Sequence, residues 1–395
     1  MKSRRSIAIG AIVTSFLLVG ASPAFAGAIN GSGATFAAPL IDSCKVDFAK
    51  DSGHTVNYTG GGSGKGRSDF TGNLVDFAGS DAPYSSGAPA NLIYAPVFAA
   101  PIALMYNLPT VKEPIYLSPE TIARIFSGEI TKWNDPIIRT VNNGTVKVPV
   151  FKTKKVTVKD KNGKNVSKTV PVLDKNGTPT ITKYLEKEVN VSLPDTPITV
   201  YYRSDSSGTS ENFTRFLKGA NAVKNPTAWP KNQNTTFTNA MPVDVASRFN
   251  FQGESGSAKV ASGVAGKVGA ITYSELSFAT DNKLKVAYVQ NAAGEFVAPD
   301  SAGTSAFLGG GTIEANGSLT TPYQKAIPGA YPIGTASYGL VYPESAKKNP
   351  ETQKIVAEWH TYLLEQCPKK FPEKGYIQIT GPLYDKAKAQ IAKIK

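Results

Sequence analysis

Short apolar runs that end in glycine and hydroxyl residues and lead into helix-forming sequence recur along this chain, and that alternation admits few folds. The run 55–58 is followed at once by Gly60-Gly61-Gly62-Ser63-Gly64-Lys65-Gly66, and the run 198–202 by Arg203-Ser204-Asp205-Ser206-Ser207-Gly208-Thr209-Ser210. Gly31-Ser32-Gly33-Ala34-Thr35-Phe36 precedes a helical stretch over 39–50. A strand that hands over to a helix through such a turn is the unit of an α/β fold, and the turn is where these folds seat ligands. Further strand-like runs at 75–78, 93–99 and 102–106 continue the pattern. Ser118-Pro119-Glu120 opens a helix that Gly128 closes, and a second amphipathic helix carries Ile355, Val356, Trp359 and Leu363, with His360 on its flank as a surface or packing residue. At 395 residues the chain is long enough for two domains or one large one.

The N-terminus reads as an address. Lys2, Arg4 and Arg5 precede an apolar run over 7–19 and then Ala24-Phe25-Ala26, the order of a secretory signal peptide, so residues 1–26 are expected to be removed. The other reading, an uncleaved anchor, would need roughly 20 apolar residues to span a bilayer. Export makes the chain periplasmic, envelope-associated or secreted; with no cysteine before Cys44, no N-terminal lipid anchor is expected. It also leaves two states open for the only cysteines, Cys44 and Cys367: a disulfide tying the chain ends together, or two buried thiols. With two histidines besides, a Cys/His zinc cage is excluded, and no metal or cofactor is expected.

Lysine plus arginine exceeds aspartate plus glutamate by 13. The excess is local: residues 147–195 hold eleven lysines against five acids, so nucleic acid is not an expected partner. Two Asn-Gly turns, 160–163 and 174–177, flanked by valines and Ile181, predict a β-hairpin insertion, read as a projecting three-stranded meander. Lysines there either guard exposed strand edges or dock an anionic envelope polymer.

The glycine loops converge on an anion. A nucleotide loop G-x-x-x-x-G-K-[ST] ending at Lys65 would need Gly at 59 and Ser or Thr at 66, but Thr59 and Gly66 stand there. Three loops offering backbone N–H groups and hydroxyls, with one arginine among them, fit a small tetrahedral oxyanion; flexible turns and simple helix caps are the alternatives for each loop taken alone. Asp81 follows the run 75–78 and belongs with them. A carboxylate beside an anion makes sense where the ligand carries a proton it can donate, as phosphate does and sulfate does not; otherwise Asp81 is a turn residue before Ala82-Pro83. Hydrolytic chemistry lacks a G-x-S-x-G elbow and any paired histidines, so no catalytic residues are assigned.

In these segments the sequence resembles the phosphate-binding proteins of the phosphate ABC importer, the PstS family. The likeness runs through Gly31–Phe36, 56–63, 75–83, Ile130-Thr-Lys-Trp-Asn-Asp135, 203–210, Gly269-Ala-Ile-Thr-Tyr273 and Tyr331-Pro-Ile333. It implies a type II-like periplasmic-binding-protein fold, two α/β lobes about a ligand cleft and a hinge. Lobe I would comprise 27–105 and 334–395 and lobe II 106–333, with crossings near Tyr106 and Ile333. Carried over by position, Thr35, Phe36 and Ser63 would donate to phosphate and Asp81 would accept its proton. Arg203 would be the charged donor, supported by Asp205, and Ser207, Gly208 and Thr209 would donate from the second lobe. The partners implied are inorganic phosphate and the membrane permease with its ATPase, for a monomeric receptor without enzymatic activity. A secreted phosphoesterase using Ser207 or Thr209, and an adhesin acting through 147–195, are the rival readings.

Overall fold

The computed structural model describes residues 26–159, 164–245, 248–343, 349–371 and 374–395; residues 1–25 of the expected signal peptide and the expected Asn-Gly turn at 160–163 lie outside them. One nine-stranded sheet organises the chain. From edge to edge it runs Phe251–Glu254, Thr199–Arg203, Ala270–Glu275, Ile93–Tyr106, Gly334–Val341, Phe77–Ser80, Ala28–Gly33 and Thr55–Gly60, with Lys285–Val286 pairing onto Ile93–Tyr106. Helices cover it: Ser257–Ala265 packs on Ala270–Glu275, while Pro350–Glu365 and Gly381–Ile391 pack on Ile93–Tyr106. Sequence and structure therefore agree on an α/β fold.

The central strand, Ile93–Tyr106, is buried along its whole length, which is why its sequence is a continuous apolar run rather than an alternating one. The sequence suggests two strands broken at Pro101, yet the chain passes straight through. Residues 93–101 pair with Gly334–Val341 and residues 102–106 pair with Ala270–Glu275, so the strand changes partners at Pro101/Ile102. Pro101 stands at this handover and Pro96 beside the register shift opposite Ser337/Tyr338, two places where a missing N–H interrupts no regular ladder. Ile102 N–H bonds Ile333 O at 2.8 Å, bringing the outgoing and returning chains together at one point.

The basic insertion departs from the expected meander. Asn143–Phe151 pairs with Ile181–Asn190, and Thr153–Lys159 pairs with Asn165–Pro171, giving two separate ladders. Burial selects the partners: Val146 and Val189 pack with Tyr116 and Phe296 of the body, a contact only the inner ladder makes. The second Asn-Gly turn does form, with Gly177 at φ 80°, but instead of projecting it lies against Thr380 and Gly381.

Cys44 and Cys367 form a disulfide that joins the helix Ala38–Ser52 to the short helix Cys367–Lys370. His360 is fully buried, with its ring edge-on to Phe77 and Nδ1 against Val356 O at 2.7 Å, so it is a packing residue; burial pushes it down to about 4.

Candidate functional site

Four helix N-termini meet beside the partner change of the central strand: Ala38–Ser52, Ser63–Thr71, Gly208–Asn221 and Ser257–Ala265. The strand from Thr55 ends at Gly60, and Gly61 and Gly62 both donate to Gly33 O at 2.9 Å, turning the chain sharply into the helix at Ser63. Gly62 takes φ 88°, a conformation a side chain would strain. Its missing Cβ also makes room: a methyl there would stand 2.4 Å from Ser206 O and 2.6 Å from Asp205 Oδ2. The loops 60–66 and 203–210 thus face each other, and Gly64 N–H bonds Ser206 O at 3.0 Å.

Asp81 is 2% exposed at the end of Phe77–Ser80. Its N–H bonds Ser63 Oγ at 3.2 Å, and its Oδ1 accepts from Ser337 at 2.6 Å. Its carbonyl accepts from Asn212 at 2.5 Å and Thr335 at 3.0 Å. Burial pushes the carboxyl up to about 6 from 3.8, against the pull of the Ser337 bond and of Arg203 and Arg67.

Arg203, 1% exposed, ends the strand Thr199–Arg203. Nε bonds Asp205 Oδ1 at 2.6 Å, Nη2 bonds Oδ2, and Nη1 reaches Ser257 Oγ at 3.1 Å. Burial works to raise the Asp205 carboxyl, but Arg203 and the Gly256 N–H, 3.0 Å away, outweigh it and hold it below the ordinary range. The guanidinium is therefore fixed as an ion pair rather than a free charge.

Ser207 caps the helix Gly208–Asn221, its Oγ accepting from Ser210 N at 3.2 Å, while its own N–H is engaged by Thr235 O at 2.9 Å. What remains to Ser207 for a ligand is its hydroxyl proton. Gly208 lies directly on Ser63: a Cβ would be 2.4 Å from Ser63 Oγ and 3.1 Å from Ala82 N. Thr209 Oγ1 is buried beside them with no partner. Thr35 Oγ1 accepts from Ser257 N at 3.2 Å, and Phe36, fully buried, holds the loop by its carbonyl against Tyr376. All eight sequence-assigned residues and Asp205 thus come together in one junction.

Several members of the cluster escaped the sequence. Ser257 repeats the Ser63 arrangement: Gly256 has φ 86° and ψ 154°, against 88° and 156° at Gly62, each before a serine that opens a helix. The string Gly253-Glu254-Ser255-Gly256-Ser257 after a strand was the available signal. Arg67 had no local signal. It lies one turn after Ser63 and reaches across to Glu211, one turn after Ser207, at 3.1 Å, while also bonding Pro83 O at 3.0 Å. Arg215 closes on the other Glu211 oxygen at 3.0 Å.

A family model described as a PBP superfamily domain matches residues 19–366. Phosphate-binding protein PstS2 of Mycobacterium bovis BCG is 31% identical over 312 residues, covering 74% of this chain and 68% of that protein. Phosphate-binding protein PstS of Pasteurella multocida is 27% identical over 374 residues, covering 92% and 89%. Among solved structures, a high-affinity periplasmic phosphate-binding protein with phosphate bound aligns with TM-score 0.62 at 22% identity, covering 91% of this chain and 93% of that one. The fold, the order of its glycine loops and these relatives agree: the chain belongs to the PstS family of phosphate-binding proteins within the PBP superfamily.

Proposed function

We propose that this protein is an exported receptor that captures inorganic phosphate between its two lobes and delivers it to the permease of an ATP-driven importer. The reading rests above all on Asp81, a buried acceptor set among donors, with the unpartnered Thr209 hydroxyl close by. Phosphate at neutral pH still carries a proton and so satisfies the carboxylate, whereas sulfate would face it with like charge. Thr35, Phe36 and Ser63 would donate from one lobe, and Arg203, Ser207, Gly208 and Thr209 from the other. Asp205 and Ser257 hold the Arg203 fork. We place the outward crossing at Pro101/Ile102, four residues before Tyr106, and the return at Ile333/Gly334, where the central strand changes partners.

The phosphoesterase reading finds no support in the site. Ser207 Oγ serves its helix cap, His360 is in the core, and His54 bonds Gly27 N at 3.1 Å at the far end of its strand. The rest of the reading, a monomer with no cofactor, follows the binding role.

Calorimetric titration of the phosphate-stripped protein tests the proposal. One-to-one binding of phosphate with no heat from sulfate is expected, and Asp81→Asn should weaken phosphate while admitting sulfate. No phosphate heat from the folded, ligand-free protein would overturn it.

A further inference from the structure

The basic insertion is seated on the body at two separate places. Its inner ladder, Asn143–Phe151 against Ile181–Asn190, rests on residues of 102–333, where Val146 and Val189 pack with Tyr116 and Phe296. At the outer end of that ladder Phe151 and Ile181 close over Gly329: a Cβ there would stand 2.7 Å from the Phe151 ring and 3.0 Å from Ile181 Cδ1. Gly329 lies just before the return crossing at Ile333/Gly334.

The outer part of the insertion rests elsewhere. Thr153–Lys159 meets the helix Cys367–Lys370, and Asn165–Pro171 meets the helix Ser301–Gly309. One face of this ladder is the less exposed: Val156, Val158 and Val170 are half-buried, while Thr153, Lys155, Thr157, Ser167 and Thr169 on the opposite face are exposed. The turn Asn176-Gly177 then packs backbone to backbone on Thr380-Gly381. A Cβ on Gly177 would stand 2.5 Å from Thr380 Oγ1, and one on Gly381 2.4 Å from Asn176 O. Both glycines have left-handed backbones, φ 80° and 63°. This turn, the helix Ser301–Gly309 and the segment 377–383 surround a cavity of about 270 Å³ that Ala99 also lines, beside the outward crossing at Pro101/Ile102.

The two seats are joined stiffly. Lys152 N–H bonds Thr180 O at 2.7 Å, Lys152 O accepts from Val172 N at 2.8 Å, and Thr180 N–H bonds Val172 O at 3.0 Å. Inner ladder, outer ladder and turn are thus one continuous arm.

We propose that this arm is a strap beside the hinge, a third and non-covalent connection between the lobes that restrains their opening. The inference rests on the two-lobe reading, in which the inner seat belongs to the second lobe and Cys367–Lys370 and Thr380-Gly381 belong to the first. Hinge motion is taken up by a few residues at the crossings. An arm seated on both sides of them has to shear or break its contact at Gly177 and Gly381 before the lobes can part. The empty protein is therefore held near the closed form, and phosphate leaves slowly.

The test compares the wild-type protein with two variants by small-angle scattering, empty and phosphate-loaded, and by the rate of phosphate release. In the first variant residues 152–180 are replaced by Asn-Gly, which closes Phe151 directly onto its partner Ile181 and keeps the inner ladder. In the second, Gly177→Val, the insertion is kept and its turn is driven off Thr380. The empty wild-type protein should be nearly as compact as the loaded one, whereas the empty variants should be more extended and should release phosphate on the order of tenfold faster. If the empty wild-type protein is as extended as both variants, or if phosphate leaves all three at one rate, the strap is overturned. Absence of phosphate binding by the wild-type protein would instead overturn the receptor reading, and the scattering of the empty proteins would still decide for or against the strap.

Discussion

Asp81 lies against Ser63 and Ser337 with almost no exposure, and burial raises its carboxyl to about 6 despite nearby Arg203 and Arg67. The folded-state value stands above the ordinary 3.8, so ionising Asp81 costs the empty protein stability as pH rises from about 4 to about 6. On the proposed function the same shift would govern selectivity: above about pH 6 the carboxylate would accept a hydrogen bond from phosphate and repel sulfate, whereas below it protonated Asp81 could donate and sulfate should begin to compete. Competition titrations at pH 8 and pH 5 check this, with sulfate binding expected to rise about tenfold per unit as pH falls from 8 toward the midpoint near 6 and to level off below it. Gly64 offers a second test. An alanine Cβ there would lie 2.3 Å from Ser206 Cβ across the junction, yet Gly64 needs no left-handed backbone. Gly64→Ala should weaken phosphate by more than tenfold by obstructing closure, and Ser206→Gly should restore part of it. The residue types at these positions were legible because each sits in a glycine and hydroxyl string. Ser337 and Thr335 were not, because a strand serine in an apolar run carries no sign of what lies opposite it.

At the scale of elements, two helices bring both their N-termini and an ion pair to the junction. Ser63–Thr71 contributes Ser63 and Arg67, and Gly208–Asn221 contributes Gly208 and Glu211, each pair one turn apart along its helix. On the two-lobe reading the Arg67–Glu211 contact would therefore close together with the donors that would hold phosphate. Glu211→Gln, which keeps the shape but removes the charge, should lower phosphate affinity roughly tenfold, with little sensitivity to salt because the pair is buried. Loss of thermal stability without loss of affinity would reduce the pair to a structural role. The helix start at Pro119 was readable from local chemistry. The pairing of the insertion's strands was not: turn residues fix where a chain reverses, but the burial of Val146 and Val189 against Tyr116 and Phe296 decided which strands met.

Across the whole molecule, the Cys44–Cys367 bridge closes a loop of 323 residues and ties the C-terminal segment to the first helix. Its loss by Cys44→Ala with Cys367→Ala should cost about 2–5 kcal/mol in denaturant unfolding, chiefly by freeing the unfolded chain. Phosphate affinity should remain, since neither cysteine borders the junction. The sequence by itself determined the α/β class, the glycine loops and those residues of the junction that lie in them, because strand periodicity, turn chemistry and helix capping act within a few residues of one another. It left the cysteines open between bridge and thiols, and it broke the central strand at Pro101. Tertiary structure decided those points and set Arg67 against Glu211, 144 residues apart. Such contacts depend on which surfaces are buried together, and no local run of residues records that.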